Sequence, residues 1–371
     1  MAPIAGLKEM ESLEHKTIQT KPHDLTYSYY LSPNFRDKQS KDTPTLVFIH
    51  GYPDDAFMWT GAVPHFLKQR FPFVLVDLLG FGGSSKPTGP SKVSQYNYKQ
   101  QANSIFQILD QEGVGNNVIP IGHDWGSATA QRTYLYHKHR CQGLIILSLA
   151  YQIPSAAPFD LNKANEVTAA RFGYPQWEYW NFFTAPDAPK LMNADPMRMW
   201  EVNNGNFPSP KPEEKGRDIW MREMFCTPGT MREYVAKEGR YKDYTVDLKP
   251  YAQNKELQQR YLDRIKRDGF DAPVNYYHTL ANNTMLKDEQ ELIDKPNQEG
   301  ITIDVPMLFI GQTGDWVCRT DLMEDARKQG LLKGGCEDKV VDAGHWVLYE
   351  KPDEIAEVIL EWLGRKFGGK S

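Results

Sequence analysis

Val118-Ile-Pro-Ile-Gly-His-Asp-Trp-Gly-Ser127 decides the reading of this 371-residue chain. The stretch begins as a small apolar run and sets two glycines around an acid. It then continues into Ala128-Thr-Ala-Gln-Arg132, which reads as a helix. Strand, sharp turn and helix in that order make a nucleophile elbow, where the residue between the glycines stands exposed at the end of a sheet. The turn is tight and the helix packs close behind it, so small neighbours are required. The exposed position is Asp124, where esterases and lipases carry a serine.

Working outward, apolar runs at 45–50, 73–77, 144–149 and 305–310 read as buried strands. They are continuous rather than alternating, and helical stretches such as 98–112 lie between them. That is the pattern of a mostly parallel sheet covered on both faces, an α/β architecture. Upstream, 16–20 and 25–31 read as strands around a turn at 21–24, and 33–44 as a surface loop. A helix is expected through Trp59 to Lys68. Downstream, 339–341 reads as a strand and 352–367 as an amphipathic helix with Ile355, Val358, Ile359 and Trp362 on one face. Between 152 and 298 the texture changes. No strand pattern is present, aromatic residues are dense, and 255–267 and 274–280 look helical. The expected division is a core in two parts, 1–151 and 299–371, with a helical cap at 152–298 inserted between them.

Composition narrows the partners. Charged residues make up 25% and hydrophobic ones 40%, ordinary for a soluble globular protein. A net charge of −5 gives no reason to expect nucleic acid. No run is long enough to cross a membrane, and the N-terminal stretch has no apolar segment of signal-peptide length. Cys141, Cys226, Cys318 and Cys336 show no paired or metal-ligand spacing, so they read as buried reduced thiols of a cytoplasmic protein. No metal or cofactor is expected. The C-terminal Gly-Gly-Lys-Ser matches no targeting signal.

The chemistry follows from chain order. Asp124 is followed by Asp315, in Ile310-Gly-Gln-Thr-Gly-Asp315, and by His345, in Asp342-Ala-Gly-His-Trp346. Nucleophile, acid, histidine is the order of the α/β-hydrolase triad. Asp342 reads as structural, and His50 and His123 as local hydrogen-bond fillers. A carboxylate near pH 7 is already anionic, so its attack needs no prior proton transfer. On a saturated carbon, a serine would leave an inert ether, whereas a carboxylate leaves an ester. His345, held by Asp315, can hydrolyse that ester by activating water. The oxyanion then needs two N–H donors, expected from the backbone of Trp125 and of Tyr52.

Together, His50-Gly-Tyr-Pro53, Gly122-His-Asp-Trp-Gly126, the Asp315 loop and Gly344-His-Trp346 resemble the soluble epoxide hydrolases of the α/β-hydrolase superfamily, over about residues 16–367. The resemblance implies an eight-stranded, mostly parallel sheet with a helical lid and a cis peptide before Pro53. It also implies two lid tyrosines that protonate the departing epoxide oxygen. Tyr179-Trp-Asn-Phe-Phe-Thr-Ala-Pro186 is similar to the first tyrosine segment and Gly269-Phe-Asp-Ala-Pro-Val-Asn-Tyr-Tyr277 to the second, where Tyr277 is preferred over Tyr276. Trp125, Tyr179, Tyr277, Phe183 and Trp346 are the expected substrate contacts. Sequence does not separate lining from core for Trp177, Trp180, Phe183, Trp200 and Trp220. The lid reads as longer than in compact members, around 203–217, and no further domain is expected ahead of the sheet. The implied activity is cofactor-free conversion of an apolar epoxide to a vicinal diol, by a monomer or homodimer. The alternative is a haloalkane or haloacid dehalogenase with the same Asp-His-Asp set.

Overall fold

A computed structural model describes residues 4–207 and 217–368. Most of the 203–217 stretch and the last three residues of the Gly-Gly-Lys-Ser terminus lie outside the described residues.

Eight strands form one sheet: β1 (Glu14–Thr20), β2 (Leu25–Leu31), β3 (Thr45–Ile49), β4 (Phe73–Val76), β5 (Val118–His123) and β6 (Leu144–Leu147), then β9 (Met307–Gln312) and β10 (Cys336–Val341). A two-residue pair, β7 (Gly205–Asn206) and β8 (Asp247–Leu248), stands apart from it. The sheet order is β1-β2-β4-β3-β5-β6-β9-β10. β2 runs antiparallel to both of its neighbours, and every pair from β4 to β10 is parallel.

The continuous apolar runs have a direct cause. Successive side chains of a strand point to opposite faces, and here both faces are covered. Val47 and Ile49 join one apolar cluster while Leu46 and Phe48 join the other. The second cluster packs on the helix Pro352–Phe367 through Ile355, Ile359 and Trp362. The first takes the helices Tyr98–Gln111 and Trp125–Tyr136 and the long segment between β6 and β9. Apart from β7 and β8, the regular structure in the described part of that segment is helical. Tyr52, after β3, packs its ring on Phe183, Phe270 and Tyr277 of this insertion.

Four local readings are corrected. The helix expected through Trp59 to Lys68 is split into a 3-10 turn, Ala56–Trp59, and a helix, Val63–Leu67. Gly61 lies at the break, where a Cβ would come within 2.6 Å of Pro352. The 33–44 loop contains a helical turn, Phe35–Lys38, anchored by buried Phe35. β10 begins at Cys336 rather than at 339. It is an edge strand whose first residues are polar, so no apolar run marks it. Cys336 is accordingly only partly buried, unlike the other three thiols, and all four are free. The β7–β8 pair was invisible in a segment read as wholly helical, because two residues carry no periodicity.

Candidate active site

β5 ends at His123 and the helix Trp125–Tyr136 begins one residue later. Asp124 alone makes the turn, with φ 55° and ψ −124°. A left-handed φ at a non-glycine residue costs about 1–3 kcal/mol and persists only where its surroundings enforce it. The glycines on either side make room. A Cβ on Gly122 would lie 2.1 Å from the Gly126 carbonyl oxygen, and one on Gly126 would lie 2.2 Å from that of Ile49. Ser127 fastens the turn by donating to the carbonyls of Gly122 or Leu147, at 2.7 and 2.8 Å.

Asp315 follows β9 and His345 follows β10, and the fold brings both to Asp124. His345 Nδ1 lies 2.6 Å from Asp315 Oδ2, and its Nε2 lies 3.6 Å from Asp124 Oδ2. The other Asp315 oxygen accepts the N–H groups of Val317 and Cys318 at 3.0 and 2.7 Å. Burial works against the Asp315 charge, but His345 and these donors outweigh it and hold its carboxyl below the ordinary range. Burial likewise opposes a charged His345, yet Asp315 and Asp124 raise its pKa above 6.5. Asp124 is raised by burial, opposed by His345 and by the N–H groups of Trp125 and Tyr52. The Tyr52 N–H donates to Asp124 Oδ1 at 2.8 Å, which leaves Oδ2 facing His345. The Tyr52–Pro53 peptide is cis.

The other histidines sit in supporting positions. His50 Nε2 accepts the Leu78 N–H at 2.9 Å and its Nδ1 donates to Gly51. His123 Nε2 donates to the His345 carbonyl at 2.8 Å. Burial keeps both neutral, with pKa values lowered to about 4 and about 3. Asp342 accepts from Thr313 at 2.8 Å. Asp315, Cys318 and His345 bring potential ligand atoms within 4.8 Å of one another. Two of these three residues are already joined by the short Asp315–His345 hydrogen bond.

Tyr179 and Tyr277 meet edge to face, with ring centroids 5.7 Å apart. Burial and the charge of Asp124 push both phenols well above 10, so both remain protonated. The Trp125 and Tyr277 rings also meet edge to face, with centroids 5.1 Å apart. The Tyr276 hydroxyl is turned elsewhere, toward Leu79 O and Gln101 Oε1 at 2.9 and 2.7 Å. A cavity of about 620 Å³ opens on Asp124, with Trp125, Tyr179, Trp180, Ile153 and Phe159 in its walls. Tyr277, Phe183 and Trp346 are not among those walls. Phe183 is buried behind the two tyrosines, and Trp346 packs on His345 and Phe225. Trp177 lines this cavity, Trp200 lines a second of about 500 Å³ beside Asp54, and Trp220 packs on Tyr234. The second cavity contains neither Asp124 nor His345.

Sequence reasoning missed a charge cluster of buried Lys249 and Asp218 with half-buried Glu350, which reaches the backbone beside His345. Its members are far apart in the chain, and the one local signal was Gly344.

An antiparallel second strand, an elbow after the fifth, and an acid and a histidine after the last two define a protein of the α/β-hydrolase fold. Residues 44–200 match the family model described as alpha/beta hydrolase fold. The relatives narrow the group. The chain is 25% identical to epoxide hydrolase srdG of Neurospora crassa, over 98% of this chain and 99% of that protein. It is 26% identical to epoxide hydrolase A of Mycobacterium tuberculosis, over 86% and 90%. Among solved structures, epoxide hydrolase A from Mycobacterium thermoresistibile superposes with a TM-score of 0.70 at 21% identity, covering 95% of this chain and 98% of that one. A Vigna radiata epoxide hydrolase mutant gives 0.69 at 20%, covering 96% and 100%. The chain thus has the α/β-hydrolase fold, and it resembles the epoxide hydrolases, which are hydrolases, along nearly its whole length. Among the described residues no helix is long and apolar enough to cross a membrane.

Proposed function

We propose that this chain hydrolyses apolar epoxides to vicinal diols through an ester on Asp124. The observation that carries the reading is Asp124 itself. Its carboxylate has one oxygen on a backbone N–H and the other open between His345 and a cavity walled by aromatic rings.

Asp124 Oδ2 attacks an epoxide carbon, the carbon–oxygen bond breaks, and the alkoxide takes a proton from Tyr179 or Tyr277. Both phenols are protonated and feel the charge of Asp124, and Tyr179 lines the cavity beside it, which suits an acid for a strongly basic leaving oxygen. A 2-hydroxyalkyl ester results. His345 Nε2 then removes a proton from water, and the hydroxide adds to the ester carbonyl carbon. The oxyanion forms at Oδ1, where the N–H groups of Tyr52 and Trp125 receive it. Collapse expels the diol alkoxide, which takes the imidazolium proton, and the proton of the new Asp124 carboxyl returns to the phenolate. Asp315 stabilises the transient imidazolium, as a buried carboxylate does for a catalytic histidine.

The helical insertion acts in this scheme as the lid, with residues 152–298 supplying the tyrosines and most of the apolar wall. The relatives named above are epoxide hydrolases, which favours this reading over dehalogenation. The test is His345→Gln mixed with styrene oxide. The reading expects a protein adduct on Asp124 that accumulates because its hydrolysis is stalled. An unmodified variant protein would contradict it.

A further inference from the structure

Three charged side chains converge on the backbone one residue before His345. Lys249, in the insertion, places Nζ 2.6 Å from Asp218 Oδ2 and 2.8 Å from Glu350 Oε1. The second Glu350 oxygen accepts the Gly344 N–H at 3.0 Å. A Cβ on Gly344 would lie 2.5 Å from Lys249 Nζ, so the loop backbone is pressed against the charges. The cluster reaches the other triad loop as well. The Asp218 N–H donates to the carbonyl of Gly314, the residue before Asp315, and Gly314 donates to Ala343 O at 3.0 Å. Lys249 is fixed by its position directly after β8, where its N–H donates to Asn204 O at 2.9 Å.

The Lys249 and Asp218 side chains are only 11% and 5% exposed, so water screens their pairing little. Burial disfavours the ammonium, but Asp218 and Glu350 outweigh it and keep Lys249 charged. Removing one member leaves buried charge uncompensated, which is far costlier than losing a surface pair. None of the three lines the cavity at Asp124.

We infer that Lys249, Asp218 and Glu350 are positioning residues that set the place and basicity of His345 and tie them to the seating of the insertion on the sheet. The inference rests on the proposed role of His345 as the base of ester hydrolysis. That role demands an imidazole held to a fraction of an ångström, and Gly344 is the residue that aims it. The charged and titratable groups around His345 are Asp315 and Cys318 on the acid loop, Asp124 at the elbow, His123 on β5 and Lys249 on the insertion. Lys249 is the cation of this set and disfavours the imidazolium. By the sign of their charge, the Asp218 and Glu350 carboxylates favour the imidazolium.

The test uses Lys249→Met, Glu350→Gln and Glu350→Ala in the full chain, with two readouts. In the resting protein, the His345 ring is titrated by NMR. Lys249→Met should raise its pKa and Glu350→Gln should lower it, an opposition that loosened packing would not produce. In stopped flow with styrene oxide, Glu350→Ala should slow hydrolysis of the ester about tenfold or more, in the range for residues that orient a functional side chain. Formation of the ester should stay within about twofold, since the cluster does not touch the nucleophile. Glu350→Gln can still accept the Gly344 N–H and should recover most of the loss. It also carries the test if Lys249→Met fails to fold. Unchanged hydrolysis in Glu350→Ala, equal slowing of both steps, or His345 shifts of the same sign would overturn the inference. A parent enzyme that forms no ester would instead count against the proposed function, and the NMR titration would still decide whether the cluster governs His345.

Discussion

Asp124 holds its charge in a place that resists it. Burial raises its pKa, while His345 and two backbone N–H groups work to keep it ionised. Ester formation would remove that charge and with it one of the two carboxylates that raise His345. The acid limb of ester hydrolysis should therefore lie at lower pH than the titration of His345 in the resting protein. Rapid-mixing decay of the ester across pH, set beside an NMR titration, measures both. A limb at or above the resting value would contradict this coupling. The two phenols share one task in the scheme, so Tyr179→Phe or Tyr277→Phe alone should slow ester formation less than the double variant, which should lose about 100-fold or more, the usual contribution of a general acid. Stopped-flow burst rates report this directly, and hydrolysis of the ester should change little. Asp54 gives a stability prediction of defined sign. Burial raises its pKa to about 6, against the opposing effects of Arg264 and the Tyr349 hydroxyl. A raised carboxyl favours the folded state at low pH, and the penalty grows as pH climbs from 4 to 6. Asp54→Asn should thus stabilise the protein by about 2–3 kcal/mol above pH 6 and by little near pH 4. Melting temperatures at pH 8 and pH 4 would show the difference, and an equal change at both would count against it. At this scale Asp124, Asp315 and His345 were legible because each follows a strand in a glycine-marked turn. Asp54, two residues past Tyr52, carries no such mark.

The elbow is an element whose geometry constrains the sequence more tightly than its chemistry does. The Cβ of an alanine at 122 would collide with the Gly126 carbonyl carbon at 2.4 Å and the Ser127 nitrogen at 2.5 Å, and backbone in a helix cannot step aside. Gly122→Ala should cost about 3 kcal/mol or more, at the top of the range for overpacking. Gly115→Ala, with nothing within 4 Å of the new methyl, should be neutral within about 0.5 kcal/mol. Urea unfolding of the two variants makes the comparison. The strands buried on both faces were readable as apolar runs for the same physical reason that they form the core. β10 escaped in part because an edge strand keeps charged residues toward water, and β7 and β8 escaped because tertiary contacts rather than local pattern hold them. The choice of Tyr277 over Tyr276 came from segment likeness. In the structure the Tyr276 hydroxyl is engaged by Leu79 and Gln101, while Tyr277 lies outside the walls of the cavity at Asp124.

Across the whole molecule, the sheet fixes Asp124 and the loops of Asp315 and His345 at one end, and the insertion packs over them. Its aromatic rings wall the cavity, and its Lys249 reaches through to the His345 loop. Lys249 and Glu350 are 101 residues apart in the chain. Such a contact depends on how the insertion docks, which no local pattern encodes. The helical character of the insertion was readable, whereas the identity of the rings facing the cavity was not, since buried core and cavity wall draw on the same aromatic residues. The central claim is that the oxygen delivered to the epoxide comes from Asp124 and not directly from water. One turnover of styrene oxide by excess enzyme in water enriched in heavy oxygen tests it most directly. The account predicts an unlabelled diol and label at Asp124 in the digested protein. A labelled diol from that first turnover, with Asp124 unlabelled, would contradict it.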